Sequence, residues 1–175
     1  MPHRAPQPRI VLRPQPLSAA SFEPYGQLIE ANSEAPHHTI NDGHAERFHD
    51  LARVDTAEAG GRTLVNIFRA RPRALPLRLS LVERHRLGSQ LFMPLSSQRF
   101  IVVVAAAGRA PEPDALRCFL AGAGQGVNLS RGVWHHPLLA LDAGGDFLVI
   151  DRGSPGPVED CEVRRLNETE VWIET

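Results

Sequence analysis

Two short segments of the chain concentrate polar residues of types that carry out acid–base or metal chemistry. The first contains Glu83 and His85, and the second contains His135 and His136. One residue separates Glu83 from His85, so both side chains point to the same face of an extended strand. Imidazole titrates near neutral pH, and imidazole and carboxylate groups both bind divalent first-row metal ions. The segments indicate acid–base chemistry or metal binding, although Glu83 could instead pair with a neighbouring arginine at the surface.

The charge composition excludes several classes of function. All 19 basic residues are arginine, and with 20 acidic residues the formal net charge is −1. The absence of lysine excludes a lysine Schiff base, a pyridoxal phosphate enzyme with its internal lysine, and a Walker A loop. A charge near zero gives no reason to expect nucleic-acid binding. Two cysteines are too few for a disulfide framework, and no apolar run approaches the roughly 20 residues of a membrane span. We therefore expect a soluble cytoplasmic protein that binds neither nucleic acid nor membrane.

The elements that must position the polar residues are predicted to be short β-strands. Fifteen prolines and 14 glycines divide the chain into brief apolar segments. Alternating leucines predict a strand over residues 75–85, and a continuous apolar run predicts a strand over 100–107 that is buried on both faces. Further strands are predicted over 63–69, 116–121, 133–141, 146–150 and 161–166, with a short helix over 18–25. This spacing is typical of an all-β antiparallel sandwich or barrel. We expect one domain over residues 1–175, with residues 1–8 as a loose N-terminal segment.

The two polar segments resemble the two motifs of the cupins, which are small double-stranded β-helix barrels. Glu83, His85 and Gln90 occupy positions of the first motif, with glutamate in place of its first histidine and glutamine in place of its glutamate. Gly132 and His135 occupy positions of the second. The resemblance implies that Glu83, His85, Gln90 and His135 are metal ligands. Because only two of them are histidines and Gln90 is neutral, we expect weaker metal binding than in a cupin with three histidines.

Five strings spread along the chain resemble the ureidoglycolate lyase family and follow the order found in that family. The similarity covers nearly the whole chain from about residue 10. It implies a cupin fold, a homodimer, and the splitting of (S)-ureidoglycolate into glyoxylate and urea during allantoin breakdown. It also implies nickel as the metal. The strings are His38-Thr-Ile-Asn41-Asp-Gly43, Glu46-Arg-Phe-His49-Asp-Leu51, Glu83-Arg-His-Arg-Leu-Gly-Ser-Gln90, Gly132-Val-Trp-His-His-Pro137 and Ile150-Asp-Arg-Gly153.

The reaction that this resemblance implies makes specific demands on side chains. The substrate hydroxyl must lose a proton while the leaving nitrogen gains one, and a bound metal would lower the pKa of that hydroxyl. A positioned histidine can shuttle the proton. We therefore predict His135, Glu83 and His85 as catalytic residues. The chemistry requires no organic cofactor.

Substrate contacts are predicted at Asn41, Arg47, His49 and Arg69. The first three lie in strings shared with the family, and Arg69 ends a β-rich segment where a guanidinium could clamp the substrate carboxylate. Alternative interpretations remain open for two of them. Asn41 starts a sequence that is typical of a turn, and Arg47 could form an ion pair with a neighbouring carboxylate.

Several nearby residues are predicted to be structural. His136 points away from His135 if the strand is regular, Trp134 is expected in the core or at an interface, and Asp151 is expected to pair with Arg152 in a turn. Two other function classes remain open. One is a metal-dependent isomerase or oxygenase acting on another small hydroxy acid, and the other is a non-catalytic cupin that binds glyoxylate.

Overall fold

A computed structural model describes residues 9–157 and 159–175, so the predicted loose segment 1–8 lies outside the described residues. The helix α1 spans Ala19–Phe22, and Ser18 caps it by accepting a hydrogen bond from the backbone N–H of Ser21. No helix in the described ranges is long and apolar enough to cross a membrane. The strands are β1 (Arg9–Leu12), β2 (Gln15–Pro16), β3 (Gly26–Ile29), β4 (His37–Ile40), β5 (Ala45–Phe48), β6 (Arg62–Ala70), β7 (Leu77–Leu79), β8 (Leu81–His85), β9 (Gln90–Pro94), β10 (Phe100–Ala105), β11 (Arg117–Ala121), β12 (Gly126–Leu129), β13 (Trp134–His135), β14 (Leu139–Ala140), β15 (Gly145–Gly153), β16 (Cys161–Arg165) and β17 (Glu170–Ile173).

Two facing sheets form the body of the molecule. One has the strand order β3-β12-β9-β15-β6, and the other has the order β16-β8-β13-β10-β11-β2, with β14 beside β10. From β8 to β15 the chain passes back and forth between the two sheets, and the pairs among β6 and β8 to β16 are antiparallel. This jelly-roll connectivity is the one in which cupins are built. The predicted all-β antiparallel barrel is therefore confirmed.

The barrel has one core inside it and a second core on its outer side. Phe100, Val102 and Val104 of β10 point into the barrel, where they pack with Phe92 and Phe147. The alternate residues of β10 point outwards, and they pack with Trp134 beneath a three-stranded sheet of order β1-β17-β7. Strand β10 is thus buried on both faces, and Trp134 lies in the core, as predicted. Fully burying a valine or phenylalanine side chain, as at Val102 and Phe100, stabilises the fold by about 1.5–3 kcal/mol.

Two predicted strands are each divided in the structure. The predicted strand 75–85 breaks at Ser80, so that β7 joins the three-stranded sheet while β8 joins the barrel. The predicted strand 133–141 is interrupted at Pro137, which has no N–H to donate to a ladder. The strand predicted over 146–150 instead continues to Gly153, so the predicted turn at Asp151 and Arg152 is wrong. These differences place Glu83 and Asp151 in the barrel wall.

Residues 37–48 form a β-hairpin outside the barrel, called here the hairpin arm. Its strands β4 and β5 pair with each other and with no other described strand. The tip contains Asn41 and Asp42 at φ 52° and 54°, a left-handed conformation that asparagine and aspartate tolerate. The turn interpretation of Asn41 is therefore confirmed. Within the arm, His37 stacks on Phe48 with ring centroids 5.2 Å apart.

Candidate metal and substrate site

Glu83, His85, Gln90 and His135 meet inside the barrel. Strand β8 carries Glu83 and His85, β9 begins at Gln90, and β13 places His135 directly opposite Glu83. Because alternate residues of a strand share a face, Glu83 and His85 turn inwards together. The ligand atoms of Glu83, His85 and His135 all lie within 4.8 Å of one another. The structure thus brings together the four residues predicted as metal ligands, three of which are also the predicted catalytic residues.

Hydrogen bonding fixes the orientation of the His135 ring. Its Nδ1–H donates to the Val133 carbonyl oxygen at 3.1 Å, which leaves the lone pair of Nε2 facing the cluster. Nε2 lies 3.1 Å from Gln90 Oε1 and 3.6 Å from Glu83 Oε1. Burial lowers the pKa of His135 to about 3. The ring is therefore neutral at neutral pH and offers an available lone pair.

Glu83 sits in a partly buried, polar environment. Burial raises the pKa of its carboxyl, while the charge of His85 and a hydrogen bond from Cys161 act in the opposite direction. The Cys161 thiol lies 3.8 Å from Glu83 Oε2. Burial, and then the charge of Glu83, raise the pKa of Cys161 to about 11, so this thiol stays protonated at neutral pH. The raised pKa makes this carboxylate a stronger base than an exposed glutamate.

The donor set fits a divalent first-row metal ion. His85 Nε2 is buried and has no hydrogen-bond partner among the described residues. Because buried polar atoms are normally bonded to a partner, this nitrogen is a candidate ligand for a metal ion. Its ring centroid lies 5.5 Å from that of His135. Two imidazole nitrogens with carboxylate and amide oxygens suit nickel, iron or manganese.

A cleft of about 510 Å³ opens onto this cluster. Glu83 and Gln90 line it, with Phe68, Phe92 and Leu138 as apolar walls. Arginines 69, 71 and 73 lie on its exposed side. The cleft therefore combines carboxylate, amide and guanidinium groups on a small apolar frame, which suits a small polar anion.

Arg69 lines the cleft, but its guanidinium already has a partner. It forms a bidentate ion pair with Asp146 at 2.8 and 2.9 Å, and its side chain is 82% exposed. Asn41 and Arg47 are exposed on the hairpin arm, and His49 follows the arm directly. The structure brings none of these three into contact with the cluster within the described part of the chain.

Sequence reasoning missed two polar residues on the inner wall. Asp151 projects from β15 towards the barrel interior, and its Oδ1 accepts a hydrogen bond from Asn66 Nδ2 at 3.0 Å. Burial raises the pKa of Asp151. The predicted partner of Asp151, Arg152, instead donates to the carbonyl oxygens of Glu58 and Ala59. Alternation from Phe147 through Val149 would have revealed the inward position of Asp151, had the strand been extended far enough.

His136 lies outside the cluster, as its predicted structural role requires. Its ring Nδ1 donates to the Pro137 carbonyl oxygen at 2.8 Å, and its backbone N–H donates to the carbonyl oxygen of Val103. Burial lowers the pKa of His136. Adjacent histidines thus occupy different environments.

A second cavity of about 430 Å³ lies on another side of the barrel. Arg13 and Arg99 line it, but Arg13 donates to the Thr175 carbonyl oxygen and Arg99 pairs with Asp142. None of the four clustered residues lines this cavity. Of these two cavities, only the cleft is lined by Glu83 and Gln90.

A jelly-roll barrel with an inward cluster of imidazole and carboxylate groups defines a cupin. The profile of the family described as ureidoglycolate lyase matches residues 9–174. The chain is 53% identical to a ureidoglycolate lyase of Burkholderia cepacia over 148 residues, covering 84% of this chain and 82% of that protein. It is 46% identical to the ureidoglycolate lyase of Azotobacter vinelandii, covering 93% of this chain and 96% of that protein. The chain belongs to the ureidoglycolate lyase family.

Among solved structures, a dTDP sugar isomerase from Desulfovibrio desulfuricans G20 is similar to this chain with a TM-score of 0.42 and 20% sequence identity. The match covers 83% of this chain and 87% of that one. At this level of similarity, nothing about activity follows from the match.

Proposed function

We propose that this protein is a lyase that splits (S)-ureidoglycolate into glyoxylate and urea. The observation that carries the proposal is the convergence of Glu83, His85 and His135 within 4.8 Å, beneath a cleft, in a member of this family. Ureidoglycolate carries a hydroxyl, a carboxylate and a ureido nitrogen on one carbon. The cleft offers a proton acceptor and cationic groups for such a molecule.

Glu83 is the proposed acid–base group. Its carboxylate takes the proton from the substrate hydroxyl, the carbon–nitrogen bond breaks as the carbonyl of glyoxylate forms, and the same carboxyl returns the proton to the departing urea nitrogen. No proton is gained or lost overall. Burial raises the pKa of Glu83, which makes its carboxylate a stronger base for the first half of this exchange. His135, held neutral by burial, orients the reacting groups through Nε2.

A divalent metal ion, which we propose to be nickel, would be held by Glu83, His85, Gln90 and His135. When bound, such an ion lowers the pKa of a hydroxyl and polarises neighbouring oxygens. The orphaned nitrogen of His85 and the free lone pair of His135 support this assignment. Nickel ranks high among divalent ions in affinity for mixed nitrogen and oxygen ligands.

The exposed guanidinium groups at the cleft would bind the substrate carboxylate. Arg69 is held in place by Asp146, whereas Arg71 and Arg73 make no side-chain hydrogen bond or ion pair with the described residues. A guanidinium matches a carboxylate in a bidentate geometry. We propose Arg69 as the clamp, because Asp146 fixes its position through Nε and Nη2 and leaves the Nη1 side of the guanidinium for the substrate carboxylate.

We further propose a homodimer that works in the cytoplasm in allantoin degradation. Strand β6 is an unpaired edge in the described structure, and Val65 and Ile67 on it are 68% and 55% exposed. A long apolar edge needs a cover, and a second copy of the chain would provide one. We propose that contact between copies brings Asn41, Arg47 and His49 towards the cleft of the partner. The two free cysteines fit a reducing compartment.

Product analysis with enantiopure substrate tests the proposed reaction. We expect protein stripped by a chelator and reloaded with nickel to release glyoxylate and urea in equal amounts from (S)-ureidoglycolate. Iron and manganese reloading in parallel reports the metal preference. Release of ammonia in place of urea would assign an amidohydrolase, and tight glyoxylate binding without turnover would assign a binding protein. Either result would overturn the proposal.

A further inference from the structure

Asp151 faces Gln90 across the inner wall of the barrel. Strands β9 and β15 pair in antiparallel register, with Val149 opposite Phe92 and Ile150 opposite Leu91. The next step of this register places Asp151 opposite Gln90, and both side chains share the inward parity of Phe92 and Val149. Directly opposite side chains on one face are close neighbours.

The orientation of the Gln90 amide is opposite to the one that hydrogen bonding to His135 would favour. Its oxygen lies 3.1 Å from His135 Nε2, a nitrogen whose hydrogen is absent because Nδ1–H donates to Val133. Two hydrogen-bond acceptors therefore face each other. A freely rotating amide would turn its N–H₂ towards the lone pair and form a hydrogen bond. Some other group must hold the amide oxygen in this position.

Asp151 is an acceptor at the other end of the same amide. Its carboxylate takes a hydrogen bond from Asn66 at 3.0 Å, and a hydrogen bond from Gln90 opposes the rise in its pKa that burial causes. An ionised carboxylate accepts hydrogen bonds and donates none, so it selects the N–H₂ end of the amide. The oxygen end must then face His135.

We propose that Asp151 is a positioning residue that holds the Gln90 amide with its oxygen facing His135, Glu83 and His85. The inference rests on the proposed function only in taking this cluster as the metal and substrate site. With its orientation fixed, Gln90 presents an oxygen ligand to a cation and leaves the His135 lone pair free. Groups that orient metal ligands in this way are worth about 10–100-fold in metal affinity or activity.

A pair of substitutions separates orientation from a merely structural role. In Asp151→Asn the new amide can donate to the Gln90 oxygen, so the Gln90 amide is free to rotate, and we expect nickel affinity to fall about 10–100-fold. In a Gln90→Glu background both terminal atoms of residue 90 are oxygens, and orientation no longer matters. In that background, Asp151→Asn should not lower nickel affinity. The affinity should instead rise, because the substitution removes repulsion between the carboxylates at positions 90 and 151.

The measurement is nickel affinity by competition with a chromophoric chelator, together with kcat/KM for ureidoglycolate. Asp142→Asn is the matched control, because Asp142 pairs with Arg99 away from the cleft, and it should leave nickel affinity unchanged. Thermal unfolding verifies that each variant is folded, and Asp151→Ser replaces Asp151→Asn where the latter is not recovered folded. An equal loss of affinity in the wild-type and Gln90→Glu backgrounds would overturn the inference. Nickel binding is read without substrate, so a failed lyase assay does not decide this result.

Discussion

The barrel interior and the hairpin arm both place histidines beside charged residues, but these residues are wholly or partly buried in the barrel and exposed to solvent in the arm. Inside the barrel, His135 is 2% exposed, and burial shifts the pKa values of His135, Glu83 and Asp151. In the hairpin arm, His37 and His38 lie on an exposed two-stranded ribbon. A buried polar group needs a partner, whereas water can satisfy an exposed one. Burial therefore gives the barrel interior its perturbed acid–base groups, whereas the arm is an exposed surface element.

The largest effect is expected from neutralising the carboxylate inside the barrel. Glu83→Gln removes the proposed proton acceptor while keeping its shape, and kcat should fall about 10²–10⁴-fold. Glu162→Gln is the control, since Glu162 binds Arg84 on the neighbouring strand and stays outside the cluster. Initial rates of glyoxylate release measure both. If Glu83→Gln kept the rate of the control, Glu83 would not be the acid–base group.

The second-largest effect is expected if the hairpin arm contributes to the site of a second copy. Arg47→Ala should lower kcat/KM about 10–100-fold if Arg47 makes a charge-assisted hydrogen bond to substrate across a dimer. Mixing Arg47→Ala with Glu83→Gln should then recover about one quarter of wild-type activity, because random exchange gives half heterodimers with one intact site each. No recovery, with exchange verified by native mass spectrometry, would exclude a contribution in trans.

A smaller effect is expected in the pH dependence of folding stability, to which the buried His135 contributes. Because the pKa of His135 falls from 6.5 to about 3, the neutral ring is favoured in the folded state. Its contribution to stability is complete above pH 6.5 and is lost as pH falls towards 3, by up to about 1.4 kcal/mol per pH unit. The pKa values of Glu83 and Asp151 are raised, so their contributions to stability change with pH in the opposite direction. The difference in unfolding free energy between wild type and His135→Gln therefore isolates the contribution of the histidine.

Denaturant unfolding in the presence of a chelator measures this difference at several pH values. The wild type should lose stability relative to His135→Gln as the pH is lowered from 6.5. A difference that did not change with pH would show that the His135 ring is accessible to protons in the folded state.

The smallest effect is expected for the stability contribution of the arm. Arg47→Ala and His38→Ala should each leave the free energy of unfolding within about 0.5 kcal/mol of wild type, as exposed substitutions usually do. Phe147→Ala in the inner core should cost about 3–5 kcal/mol. A large loss of stability in the arm variants would show that the arm packs against a folded surface.

Local patterns predicted much of the barrel, because alternation is a property of neighbouring residues. The parity of Glu83 and His85 was readable from one segment, and the continuous apolar run predicted the double burial of β10. The positions of Gln90 and His135 came from the resemblance to the cupin motifs. Their contact depends on the pairing of strands far apart in the chain, which no local periodicity specifies.

Other features of the site could not be predicted for the same reason. The sequence predicts a turn at Asp151 because the apolar alternation stops at Ile150, and Gln90 lies on a strand that no local pattern predicts. The break at Ser80 was hidden because the leucines alternate across it while they enter two different cores. The sequence marks residues of the arm only by strings that resemble the family and by the turn at Asn41, and it predicts neither the two strands nor their separation from the barrel.

The most direct test of the central claim compares two adjacent histidines in one assay. His135 faces the cluster, whereas His136 donates to Pro137 outside it. With (S)-ureidoglycolate and nickel-loaded protein, His135→Gln should reduce glyoxylate release at least about 10³-fold, a loss of roughly 4 kcal/mol in transition-state stabilisation. His136→Gln should remain within about threefold of wild type, in line with substitutions away from the reacting groups. Near-normal activity of His135→Gln, or equal losses in both variants, would contradict the assignment of catalysis to the barrel interior.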